Sequence, residues 1–170
     1  MSYAGGFPVF ISHSANSEDR PIVLAFRTAL RRKKFDPYIA SFDVSPGRKL
    51  KDKVQANLER CRAVVVLFTP NAQRSEWVSF ELGMASLLGK PIIPVVETGT
   101  DPPRSLAGIE YIRFDRENPG PTIDIVVRFL TKLRDDWQYV EELKGLAVVG
   151  GFLAATKLYE LLQERKGRRT

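Results

Sequence analysis

Residues 75–83 carry the side chains of this chain that are best suited to catalysis or to ligand binding. They read SEWVSFELG, and Ser75 is a favourable first residue for a helix. Trp77 and Glu81 are four residues apart, so on that helix they lie on one face. A flat indole beside a carboxylate suits a ribosylated aromatic base. The same spacing also fits a core tryptophan and a solvated glutamate, and spacing alone leaves both interpretations open.

Motifs of several other chemistries are absent from the sequence. Neither GxGxxG nor GxxxxGK[ST] occurs, so the usual dinucleotide and triphosphate loops are missing. One histidine, His13, and one cysteine, Cys61, do not make a typical zinc site, and no bound metal is expected. No GxSxG is present to build a Ser-His-Asp hydrolase around His13.

Apolar runs of strand length alternate with amphipathic runs of helix length along the chain. We predict strands at 8–12, 37–40, 63–68, 92–96 and 111–114. The predicted helices lie between Ser17 and Lys34 and at 50–60, 75–88 and 123–133. This alternation predicts an α/β fold with a five-stranded parallel sheet in the flavodoxin-like order 2-1-3-4-5 and helices on both faces. Pro94 argues against a well-paired central position for the fourth strand.

The domain organisation follows from the end of this alternation. Residues 1–136 form the predicted α/β domain, and residues 137–170 form a helical extension with a basic tail. The helix from Leu143 to Leu162 suits dimerisation, packing on the domain or a weak membrane contact. Its uncharged core, residues 145–155, is short of the roughly 18 residues that span a membrane.

Composition and charge exclude other classes of function. The 170 residues are 44% hydrophobic and 27% charged, as in one globular domain rather than a disordered chain. The net charge of +6 comes from clusters at 31–34 and 165–169, without interleaved aromatic residues, so no nucleic-acid partner is expected. The first seven residues resemble no signal peptide, and a single cysteine fits a reducing compartment. The expectation is a cytoplasmic protein.

The predicted sheet also indicates where a ligand binds. Doubly wound sheets bind ligands beyond the carboxyl ends of the strands, where the strand order reverses. Here that point lies between the first and third strands. It is bordered by residues 12–16, by the loop from Ser41 to Gly47 and by the helix that begins at Ser75.

Four segments, taken together, resemble a TIR (Toll/interleukin-1 receptor) domain of prokaryotic type. They are VFISHS (9–14), FDVSPGRKL (42–50), VVVLFTPN (64–71) and SEWVSFELG (75–83). The resemblance spans about Phe7 to Leu133 and depends on the order and spacing of the four segments.

The resemblance implies a flavodoxin-like fold, self-association and, in many members, cleavage of NAD+. In those members a glutamate four residues after a tryptophan is essential, and Glu81 occupies that place. The loop from Ser41 to Gly47 corresponds to the family's BB loop, which helps to build filaments and composite active sites. Residues 10–14 correspond to the family's segment that borders the nicotinamide end of the pocket. Family members often carry an arginine there, and this chain has Ser14 and Ala15.

The segments ELGMA (81–85) and GKPII (89–93) carry a second resemblance. They are similar to nucleoside 2-deoxyribosyltransferases, in which a glutamate in an ELGxA context is the nucleophile. Both families break an N-glycosidic bond with one carboxylate.

The leading hypothesis is an NAD+ glycohydrolase or cyclase in prokaryotic defence-type signalling, with NAD+ as substrate and no cofactor. The implied roles are catalysis by Glu81, a pocket wall from Trp77 and a cover from Phe42 and Asp43. The remaining candidates border the pocket. Ser12 and Ser14 are expected to donate or accept hydrogen bonds, and His13 is expected to have a loop or structural role. Ser75 is the last of these candidates.

Two alternatives remain open. The first is a non-catalytic TIR module that associates with itself through the loop from Ser41 to Gly47, with other TIR proteins or with a separate effector. The second is an enzyme of the deoxyribosyltransferase kind.

Overall fold

The computed structural model describes residues 6–40, 50–103, 106 and 108–149. Five strands form one sheet within these residues, and each neighbouring pair is parallel. They are β1 (Phe7–Ser12), β2 (Phe35–Tyr38), β3 (Ala63–Phe68), β4 (Ile92–Glu97) and β5 (Ile112–Phe114). The order in the sheet is β2-β1-β3-β4-β5, which confirms the predicted flavodoxin-like order.

Helices connect β1 to β2, β2 to β3 and β3 to β4, and one helix follows β5. They are α1 (Arg20–Arg32), α2 (Leu50–Arg60), α3 (Pro70–Gln73), α4 (Glu76–Leu87) and α5 (Gly120–Val149). The side chain of Ser75 caps α4 by accepting a hydrogen bond from the Val78 N–H at 3.3 Å. Gly89 follows the helix with a φ of +60°, a conformation that favours glycine. Both ends of α4 therefore lie within one residue of the predicted ends.

The central strands are covered on both faces. Every residue of β1 and of β3 is buried, as continuously apolar parallel strands require. Helices α2 and α4 pack on each other, and α4 also packs on β1 and β3. Phe10, Val54, Leu58, Val66 and Val78 belong to the core between these elements, so the position of α4 over the sheet is set by apolar packing.

The prediction that Pro94 excludes the fourth strand from a well-paired central position was wrong. Strand β4 lies inside the sheet, with β3 on one side and β5 on the other, and Pro94 is in register with Val66. β5 pairs with β4 only from Val95 onwards. Pro94 therefore lies just before that paired stretch, where its missing N–H is tolerated.

The last helix is longer than predicted. Pro121 lies in its first turn, where a missing N–H costs no hydrogen bond, and no proline or glycine interrupts residues 122–144. The helix predicted to end near Leu133 therefore continues to Val149, and the segment predicted to begin at Leu143 starts inside it. The remainder of that segment, from residue 150, lies outside the described residues.

The chain divides into two compact units between Arg128 and Phe129, a point inside α5. The predicted domain boundary after residue 136 stays a prediction. None of the helices in the described ranges is both long enough and apolar enough to cross a membrane.

A network of charged groups joins the carboxyl ends of the strands. Arg116, just after β5, donates through Nε and Nη2 to the Glu97 carboxylate at 2.7 and 2.6 Å. Its Nη2 also donates to Asp19 Oδ1 at 2.8 Å, and the Thr69 hydroxyl donates to Asp19 Oδ2 at 2.7 Å. Because these residues follow or end β1, β3, β4 and β5, the network holds that edge of the sheet together.

We expect removal of the Arg116 guanidinium from this network to cause a large loss of stability. The side chain of Asp19 is 1% exposed, so Arg116→Leu leaves a buried carboxylate without its cation. We expect the free energy of unfolding, measured by urea titration, to fall by about 3 kcal/mol. Arg60→Leu is the matched control because the Arg60–Asp36 pair is 66% and 43% exposed, and its loss should cost less than about 1 kcal/mol. Equal small losses in both variants would contradict a role for the network.

Candidate active site

Glu81 is an acid within an apolar stripe. The buried residues of α4 are Val78, Glu81, Leu82 and Ala85, which recur at helical spacing on the face towards the core. Glu81 is 5% exposed, so the interpretation of this residue as a solvated surface carboxylate is wrong. Acidic side chains are rarely buried unless they are paired or hydrogen-bonded, and the contacts of Glu81 therefore decide its chemistry.

The hydroxyl of Ser12 supplies the hydrogen bond that Glu81 needs. Ser12 Oγ donates to Glu81 Oε2 at 2.6 Å, across 69 residues of sequence. Ser12 is the last residue of β1, is fully buried and is in register with Val66 of β3. The predicted ligand edge, at the carboxyl ends of the first and third strands, therefore brings Ser12 and Glu81 together.

Burial dominates the electrostatics of Glu81. Loss of solvation raises the pKa of its carboxyl from 4.5 to about 7, and the hydrogen bond from Ser12 opposes this rise. No charged side chain of the described residues contributes to the shift. At neutral pH the group thus lies near its midpoint, and a modest change in its surroundings changes its charge.

Trp77 lies at the start of α4, in its first turn. Its side chain is half-buried rather than fully enclosed, and its role stays a prediction. The indole contacts the ring of Phe80, with centroids 5.4 Å apart, and Lys51 Nζ lies 5.6 Å from the Phe80 centroid. The two aromatic residues therefore precede Glu81 in α4, and the Lys51 ammonium lies over the Phe80 ring.

The other predicted site residues have local partners where they are described. The Nδ1–H of His13 donates to the Ser14 carbonyl, and burial lowers the pKa of His13. Ser14 Oγ accepts from the Asn16 N–H at 3.0 Å, and the hydroxyl of Ser75 caps α4. Phe42 and Asp43, with the whole loop from Ser41 to Gly47, lie outside the described residues. The roles of all these residues in binding stay predictions.

The network around Arg116 was not predicted from the sequence. No sequence pattern marked Asp19, Glu97 and Arg116 as partners of one another. The three residues are distant in sequence, so only the fold shows that they meet. A weak signal existed, since Asp19 and Arg116 each follow a predicted strand and parallel strands bring such positions to one edge.

The arrangement provides one carboxylate at the edge of the sheet where a ligand is predicted to bind. When it is ionised it can accept hydrogen bonds from sugar hydroxyls and stabilise a nearby positive charge. Among the described residues, no cluster of three or more His, Cys, Asp or Glu side chains could hold a metal ion.

Part of this chain is similar in sequence to a plant protein. A "Probable 2' cyclic ADP-D-ribose synthase BdTIR" from Brachypodium distachyon is 26% identical over 98 residues. That match covers 56% of this chain and 44% of the relative, so the chain spans less than half of the relative's length.

Two TIR domain structures are among the solved structures that share the fold. The TIR domain of the Toll-related receptor TRR-2 from Hydra magnipapillata has a TM-score of 0.62 and 19% identity, over 74% of this chain and 97% of that one. A chain of the RPS4 and RRS1 TIR domain heterodimer has a TM-score of 0.53 and 18% identity, over 74% and 97% of the two chains.

The family model described as "TIR domain" matches residues 9–125, which is more than half of the chain. This match contains β2 to β5, β1 from Val9 onwards and the Ser12–Glu81 pair. The chain belongs to the TIR domain family.

Proposed function

We propose that this TIR domain cleaves NAD+ at the bond between nicotinamide and ribose. The products are nicotinamide and ADP-ribose or a cyclic isomer of ADP-ribose. The observation that carries the proposal is the buried Glu81 carboxylate, held at 2.6 Å by Ser12 at the ligand edge of the sheet. The Brachypodium distachyon relative, named "Probable 2' cyclic ADP-D-ribose synthase BdTIR", supports the same chemistry.

The reaction asks for few catalytic groups. In NAD+ the leaving nicotinamide is a cationic pyridinium, so it departs as a neutral base when the C–N bond electrons return to its nitrogen. No general acid is needed, unlike the two-carboxylate hydrolysis of ordinary glycosides. The ribose becomes an oxocarbenium-like cation, which water captures with loss of a proton, or which a nucleophile of the same molecule captures to form a ring.

Glu81 lowers the barrier through its negative charge. Ionised and buried, the carboxylate accepts hydrogen bonds from the ribose hydroxyls and stabilises the cation that develops beside them. The low solvation that raises its pKa also strengthens this attraction, because fewer water dipoles screen it. Trp77 forms one wall of the pocket, and Phe42 and Asp43 cover the substrate. Ser14, His13 and Ser75 line the edge towards the nicotinamide and phosphate groups.

Assembly is the second part of the proposal. The protein associates with further copies, or with other TIR proteins, through the loop from Ser41 to Gly47. The heterodimer of two TIR domains among the solved structures supports association as a property of this fold family. A purely non-catalytic module is the competing function, and it predicts association without turnover. The biological setting that we propose is defence-type signalling in a prokaryote, with any effector on a separate chain.

The first prediction concerns the charge of Glu81. Glu81→Gln keeps the size of the side chain and an acceptor for Ser12 but removes the negative charge. We expect kcat/KM for nicotinamide release from NAD+ to fall by about 10²–10³-fold, as when one preorganised electrostatic group is removed. The measurement is chromatography of nucleotide products after prolonged incubation at high protein concentration. Glu76→Gln is the matched control, because Glu76 is an exposed acid on the same helix.

The outcomes separate the candidate functions. Unchanged turnover by Glu81→Gln would refute the catalytic assignment. No turnover by the wild-type protein at concentrations where it is associated would favour the non-catalytic module. Exchange of bases between deoxynucleosides, without cleavage of NAD+, would favour the deoxyribosyltransferase alternative.

The second prediction links the same carboxyl to stability. The pKa of Glu81 is raised in the folded chain, so folding favours its protonated form. The stability from protonation is complete below the unfolded-state pKa, near 4.5, and is lost as the pH rises through about 7. Between pH 5 and pH 8 the free energy of unfolding of the wild type should therefore fall by about 2–3 kcal/mol relative to Glu81→Gln.

Urea titrations of both proteins at four pH values measure this difference, with Glu76→Gln expected to follow the wild type. A constant difference between wild type and Glu81→Gln across the range would show that the carboxyl is solvated, against the described burial.

The third prediction separates assembly from catalysis. A substitution in the loop, such as Pro46→Ala, should weaken self-association by about tenfold, as loss of one well-packed interface contact does. Glu81→Ala should leave self-association unchanged. Sedimentation at a series of concentrations measures both. The loop is not the association surface if Pro46→Ala and a Ser41-to-Gly47 deletion both sediment like the wild type.

A further inference from the structure

The hydroxyl of Ser12 has a fixed place in the fold. Ser12 ends β1, which is paired with β2 on one side and with β3 on the other. Its side chain is fully buried, at 0% exposure. The sheet, and not a mobile loop, therefore sets the position of Oγ. The hydroxyl is buried and does not face the solvent at the protein surface.

The carboxylate of Glu81 is held at one of its two oxygens. Ser12 donates to Oε2 at 2.6 Å, within the range of a strong, charge-assisted O–H···O⁻ bond. No other described residue donates to this carboxylate. Oε1 is thus the oxygen that the described part of the protein leaves available to a ligand.

A glutamate side chain has three rotatable bonds, so burial alone leaves its carboxylate more than one orientation. The contact with Ser12 restricts this freedom, since rotations that carry Oε2 away from the Ser12 hydroxyl break the hydrogen bond. Precise placement matters for catalysis, because a displacement of about 1 Å at a catalytic group can cost about 10²-fold in rate.

We propose that Ser12 is a positioning residue, whose hydroxyl holds Oε2 of Glu81 and directs Oε1 towards the substrate sugar. The sequence predicted a different role, a direct hydrogen bond from Ser12 to the substrate. The geometry favours the indirect role, because the one hydroxyl hydrogen is donated to Glu81. The inference rests on the proposed function, since it assigns a task within that reaction.

The first arm of the test needs no turnover. Carboxyl carbons of glutamate are followed by ¹³C NMR during a pH titration of the wild type, with Glu81→Gln identifying the signal of Glu81. In Ser12→Ala the anion loses its hydrogen bond, so the midpoint of Glu81 should move upward by about one pH unit. Ser79→Ala is the control. Ser79 lies on α4, as Glu81 does, but its hydroxyl is exposed and donates to the Ser75 carbonyl.

The second arm measures NAD+ cleavage as a function of pH. For Ser12→Ala we expect the acidic limb of kcat/KM to move to higher pH with the NMR midpoint. We also expect kcat on the alkaline plateau to fall by about tenfold, with KM changed by less than about twofold. A rise in KM alone would instead assign Ser12 to substrate binding and overturn the positioning role.

The two arms fail in distinguishable ways. An unchanged midpoint of Glu81 in folded Ser12→Ala overturns the inference, whatever the turnover. A shifted midpoint in a wild-type protein that cleaves no NAD+ contradicts the proposed function and leaves the Ser12–Glu81 coupling supported. Circular dichroism and a thermal melt of Ser12→Ala establish that the variant is folded.

Discussion

The site is organised around a carboxylate that is buried without a cation among the described residues. Glu81 is 5% exposed, and one hydroxyl, from Ser12, compensates its lost solvation. Such a group destabilises the fold when it is ionised, which is why its pKa is raised to about 7. Cores normally exclude unpaired acids, so the surrounding structure has to enforce this one. A destabilising charge that the fold maintains is a common mark of a functional site.

The parallel sheet and the packing of α4 enforce the arrangement. Val78, Leu82 and Ala85 fix the helix in the core, and Glu81 lies on the same stripe and so has to face inward. The edge of the sheet that receives it is held by the network of Arg116, Asp19 and Glu97 at the carboxyl ends of the strands. The apolar core thus positions the helix, and the charged network steadies the edge at which the carboxylate lies.

Periodicity and local signals predicted much of this fold. The strand order and the limits of α4 were predicted because buried parallel strands are continuously apolar and Ser75 and Gly89 mark the helix ends. The contact between Ser12 and Glu81 was not predicted, since 69 residues separate them and the sequence showed only that both border one edge. Pro94 is tolerated inside the sheet because β5 begins to pair with β4 only at Val95. No local sequence pattern indicates where that pairing begins. The length of α5 was underestimated because two apolar segments were taken as two helices, although nothing between them ends a helix.

The most direct test of the account is a crystal structure of the Glu81→Gln protein with NAD+ bound. The account predicts the hydroxyls of the nicotinamide ribose within about 2.6–3.2 Å of the Gln side chain at position 81, with Ser12 on the other side of that side chain. A ribose bound outside hydrogen-bonding reach of position 81, or a side chain at 81 turned away from the nucleotide, would contradict it.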